Sequence, residues 1–151
     1  MGATMLNAER INVIYEVLLS RGRKVEIVSW TDSGIAAHRV SHLPWSKTSI
    51  RPEQCWYNAY LIAENYRYCV EYVEGLVIFD DEIVEHGWNS INGKHFDLTW
   101  EYYRPSYLKL PHYELISGSV SGLEAQGYVF MPDVISMVGQ YRRKLLAKAA
   151  S

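Results

Sequence analysis

The chain has 151 residues, 48% hydrophobic and 21% charged, and its formal net charge is −2. Such values suit one globular domain spanning 1–151 and give no electrostatic reason to expect nucleic acid or an anionic membrane as partner. No apolar run reaches the ~18 residues of a membrane span, the start lacks a secretory pattern, and two cysteines are too few for a disulfide scaffold, so the expected setting is the cytoplasm.

Taken in chain order, apolar residues at helical spacing (Leu6, Ile11, Ile14, Val17, Leu18) predict a helix from Leu6 to Ser20, closed by Arg21-Gly22. Val25 to Trp30 alternates as a short strand. Residues 31–50 have no period and read as a long loop. Pro52 suits the first turn of a helix running to about Asn65, with Cys55, Ala59, Ile62 and Ala63 on one face. Residues 68–79 read as a long strand, followed by strands at Ile83–Ile91 and Lys94–Glu101 in an antiparallel meander. The stretch 102–122 is irregular, with a strand at Tyr113–Ile116, and Met131-Pro132-Asp133 opens a final helix. The class is α+β, N-terminal helices packed on an antiparallel meander with a C-terminal helix.

Asn92-Gly93 is a strong hairpin signal, because a type I′ turn needs positive φ at both central residues. With that turn, Ile91 faces Lys94, Ser90 faces His95, Trp88 faces Asp97 and His86 faces Thr99. His86, Trp88, Asp97 and Thr99 then share one face, and His86 and Asp97 are diagonal neighbours within side-chain reach. An imidazole held by a carboxylate needs a nucleophile to complete a triad. Cys55, in the first turn of its helix, sits where unpaired N–H groups and the helix field favour a thiolate and can hold an oxyanion.

The order QCWYNAYLIAE, YVEGLV and EHGWNSINGKHFDLTW resembles the core of the transglutaminase-like branch of the papain-like cysteine enzymes. The resemblance covers residues 54–100, within a catalytic-type core of about 52–101. It implies Cys55 as nucleophile, His86 as base and Asp97 as the orienting acid, with Val73 and Gly75 on the glycine-bearing strand and Trp88 and Thr99 at flanking positions. It implies a papain-like core, an amide or related acyl bond as target, and a thioester intermediate, whether for a peptidase, a deamidase or a transglutaminase. Gln54, Trp56 and Trp88 are further substrate or oxyanion candidates. The expected partner is a protein or peptide substrate, with no cofactor. The alternative is a catalytically silent fold that acts as a binding or inhibitory module.

Blander roles are assigned to the rest. Cys69, mid-strand, reads as buried and inert. His95 reads as a polar surface residue. His86, His95 and Asp97 could be metal ligands, but no H-x-x-x-H or C-x-x-C spacing supports that, and no metal is expected. Trp30, Trp45 and Trp56 line a groove or pack in the core. The cluster Arg142, Arg143, Lys144 and Lys148 reads as a solvated helix face.

Overall fold

Side chains alternate across the strands of a five-stranded antiparallel sheet, so one face packs against helices while the other carries His86, Trp88 and His112. The computed structural model describes residues 13–30, 50–80 and 82–130, with Val138, Gly139 and Ala147. Residues 13–21 form α1, followed by β1 (Arg23–Val25), α2 (Cys55–Asn65), β2 (Val70–Phe79), β3 (Glu82–Ile91) and β4 (Lys94–Phe96). Then come α3 (Leu98–Tyr103), a 3-10 helix (Pro105–Lys109), β5 (His112–Gly118) and α4 (Val120–Ala125). Among the described residues no helix is long and apolar enough to cross a membrane. The loop residues 31–49, with Trp45, and the basic cluster at 142–148 lie outside the described residues, apart from Ala147.

The sheet order is β1-β5-β2-β3-β4. β2 and β3 pair without interruption from Val70↔Ile91 to Phe79↔Glu82. Asn92 and Gly93 take φ of 49° and 78°, as the type I′ turn requires. The hairpin register is the expected one for Ile91↔Lys94 and Ser90↔His95, and ends at Asn89↔Phe96. The sheet curls until its edges meet: Ile27 makes a parallel bridge to His95, and the Val28 N–H donates to the His95 carbonyl at 2.8 Å. Five strands that alternate in direction put two strands of the same direction at the seam, so a parallel contact there follows from the odd count.

On the outer face, Tyr72 packs with Ala59, Ala63, Val120 and Leu123, while Leu76 packs with Ile14, Leu18 and Val138. Trp30, Ile50, Ile62, Tyr66, Ile91 and Phe96 form a further cluster. Burying each of these large side chains contributes about 1.5–3 kcal/mol. The inner face carries Val73, Gly75 and Val77 of β2 opposite Trp88, His86 and Val84 of β3, with His112 and Glu114 of β5 in register beside Val77 and Gly75. A Cβ on Gly75 would stand 1.9 Å from the Tyr113 carbonyl oxygen and 2.9 Å from the Trp88 ring, so only glycine fits where β5 bulges at Leu115 against β2.

Several expectations need correction. The strand expected over Val25–Trp30 is β1 at Arg23–Val25, because β5 pairs only three residues before the chain crosses to β4. The strand expected over Lys94–Glu101 stops at Phe96: Asp97 accepts from the Trp100 N–H at 3.1 Å and caps α3, which takes Thr99 out of the sheet. Cys69 lies in the turn before β2 and is exposed. His95 is 3% exposed, because the curl turns its face inward. The irregular stretch holds the end of α3, the 3-10 helix and the start of α4, and its strand extends from His112 to Gly118 between β1 and β2.

Candidate active site

Cys55 is the first residue of α2 and is 9% exposed. Gln54 precedes it as N-cap, is itself exposed and makes no side-chain cap hydrogen bond. The helix thus begins without the Ser, Thr, Asp or Asn that ordinarily takes up its first N–H groups. Two buried asparagines set this end of α2 against the sheet and α3. Asn58 accepts from the Arg51 N–H at 3.0 Å, and its amide donates to the Arg51 carbonyl at 2.7 Å and to Thr99 Oγ1 at 2.9 Å. Asn89 donates to the Ala59 carbonyl at 2.9 Å and to the Glu71 carbonyl at 3.1 Å. Gly87 completes the fit: a Cβ there would lie 2.7 Å from the Trp56 ring, so glycine lets the first turn of α2 lie against β3 beside His86.

His86 Nε2 lies 2.5 Å from Asp97 Oδ2, with both side chains almost completely buried. The other ring nitrogen, Nδ1, is left for Cys55, whose thiol lies near enough to act on the imidazole. Burial alone would depress the His86 pKa; the charges and hydrogen bonds of Asp97 and Cys55 overcome it and raise the value to about 10. Trp100 stacks on the imidazole at 3.7 Å between centroids and 16° between planes, a face that favours a cationic ring. A cleft of about 300 Å³ lined by Pro52, Glu53, Thr99, Trp100, Tyr103 and Arg104 opens beside this group.

Asp97 therefore serves two elements at once, Oδ2 toward His86 and Oδ1 toward the backbone of α3. The Trp88 indole N–H donates to His95 Nδ1 at 2.9 Å, and Trp88 is buried between the histidines. The indole nitrogen of Trp56 is buried and has no hydrogen-bond partner among the described residues. Sequence reasoning missed Asn58, Trp100 and His112. His112, on β5, is fully buried with its ring 6.1 Å from that of His86 and 5.5 Å from that of Trp100. A buried asparagine one turn after the cysteine was the only sequence signal for Asn58; nothing local pointed to His112. Comparison of the chain with protein-family models, with curated proteins and with solved structures gives no match.

Proposed function

We propose that the chain is a cysteine-dependent enzyme acting on an amide or related acyl bond of a protein or peptide, on a papain-like or transglutaminase-like core. The observation that carries the reading is one buried imidazole held between the Asp97 carboxylate and the Cys55 thiol at the head of a helix. In this reading the Cys55 sulfur bonds to the carbonyl carbon while its proton resides on His86. The negative charge on the carbonyl oxygen falls to the N–H groups at the uncapped start of α2, with the unpaired Trp56 indole N–H as a second donor. Collapse breaks the C–N bond, and the amine leaves with the proton from His86. Water or a second amine, deprotonated by His86, then cleaves the thioester and restores the thiol. Asp97 keeps the ring oriented throughout.

The test uses a Cys69→Ser background, because Cys69 is exposed to a thiol reagent. A peptide carrying an acyl electrophile is expected to label Cys55, and His86→Ala to slow labelling by at least about 100-fold. A glutamine-containing peptide mixture with a tagged amine then separates chain cleavage, deamidation and amine incorporation by mass. Labelling of Cys55 at equal rates with and without His86 overturns the reading and leaves a binding module in its place.

A further inference from the structure

His112 has no task in the scheme above, and its hydrogen bonding is unusual for a fully buried imidazole. Its Nδ1 lies 2.7 Å from the Leu110 carbonyl, which can only accept, so Nδ1 carries the proton. Nε2 is then a bare lone pair, buried and without a hydrogen-bond partner among the described residues. A buried acceptor left unsatisfied costs about 1–3 kcal/mol. One donor atom from each of His112, His86 and Asp97 lies within 4.8 Å of the other two. We infer that these three residues bind a first-row transition-metal dication of the zinc type, and that the bound ion switches off the proposed triad.

The surroundings match those of metal-binding imidazoles. A ligating histidine ordinarily donates its other N–H to a backbone carbonyl or carboxylate, which fixes the tautomer and aims the lone pair; the Leu110 carbonyl does this for His112. Asp97 is likewise steadied, through Oδ1, by the Trp100 N–H. Two imidazoles and a carboxylate suit zinc and its neighbours rather than calcium or magnesium, which prefer all-oxygen shells. Zinc and its neighbours commonly take four ligands, which leaves one position for water, and the Trp88 and Trp100 rings flank the His112 ring at 5.2 and 5.5 Å. Zinc–ligand bonds of about 2.0–2.2 Å space tetrahedral ligands about 3.3–3.6 Å apart. The 2.5 Å His86–Asp97 separation must therefore widen and the longest one close, each within reach of side-chain rotation.

Binding exchanges one charge for another. The metal takes the lone pair of His86 Nε2, and the proton that nitrogen shared with Asp97 goes to solvent. With Nε2 on the ion the neutral ring carries its one proton on Nδ1, so His86 cannot take the proton of Cys55. The ligand set stands apart from the proposed function; only the loss of Cys55 reactivity rests on it.

The experiment is a titration of chelator-stripped protein, in the Cys69→Ser background, with Co2+ by visible absorption and with Zn2+ by calorimetry. A single equivalent is expected, with the absorption of four-coordinate Co2+ and an affinity at least about 100-fold weaker in His112→Ala. Cys55→Ala should bind as wild type does, which keeps the metal site separate from the nucleophile. Zinc should also slow electrophile labelling of Cys55 in the parent protein, reversibly on chelation, and leave His112→Ala unaffected. Absence of stoichiometric binding to the parent overturns the inference, as does equal affinity in a folded His112→Ala. Should that variant not fold, Asp97→Asn, which retains an oxygen to cap α3, is tested in its place. If Cys55 never labels while the metal titration holds, the enzyme reading fails and the metal site stands.

Discussion

The interior of the curled sheet has two ends, and each holds a buried histidine. At one end His86 faces Asp97 and Cys55, and its pKa, which burial would lower, is raised to about 10. At the other, His95 accepts the Trp88 N–H, and burial, partly offset by Glu114, pushes its pKa down. Arg23 and Glu114 pair there at 2.6 Å, beside a cavity of about 590 Å³. Burial is shared and the outcome is opposite, so the partner decides the charge: a carboxylate makes an imidazolium, an indole donor keeps an imidazole. Trp88 divides the two ends with a single side chain.

The strongest way to break this contrast is Asp97→Asn. It keeps an oxygen for the Trp100 N–H but removes the charge that overcomes burial of His86. Labelling of Cys55 by an acyl electrophile is expected to fall by at least about 100-fold, with far-UV circular dichroism unchanged. A labelling rate near that of the parent would mean that Asp97 serves only the cap.

A melting-temperature profile against pH, on metal-stripped protein, sharpens the contrast. The folded-state pKa of His86 lies above its ordinary 6.5, so its contribution to stability is complete below 6.5 and is lost as pH rises toward 10. His112 is the reverse case: burial lowers it to about 4, so its contribution is present above 6.5 and is lost as pH falls from 6.5 toward 4. Stability should peak near 6.5 and fall on both sides, and Asp97→Asn should flatten the alkaline limb. An alkaline limb that survives the substitution would show that another group carries it.

The smallest effect is expected at the far end. Arg23 is 70% exposed, so Arg23→Ala should cost about 0–1 kcal/mol in denaturant melts and leave Cys55 labelling unchanged. A change in labelling would show that the two ends communicate through Trp88.

What the sequence could reveal of this arrangement follows the range of the interactions. The Asn92-Gly93 turn, the Ser90↔His95 register and the buried face of α2 all follow from local rules, and all are present. The α3 segment misled because Thr99, Trp100, Tyr102 and Tyr103 are strand-favouring residues. The Asp97 cap and its packing outweigh that preference. His95 looked solvent-facing because a flat hairpin has one wet face; the curl that buries it depends on residues far away in sequence. His112 was out of reach for the same reason, since its strand inserts between β1 and β2 rather than beside its sequence neighbour.

That insertion also governs the order in which the protein can assemble. Among the described residues β5 is the last strand in chain order, yet it has a neighbour on each side. The β2–β3–β4 hairpins can pair as soon as they emerge from the ribosome, whereas β1, made first, has no partner in β5 until much later. Until β5 slots in, β2 exposes one unpaired edge and the parallel seam between Ile27 and His95 lacks the strand that holds β1 in place. His112 belongs to that strand, so the inner face stays incomplete until β5 is in place.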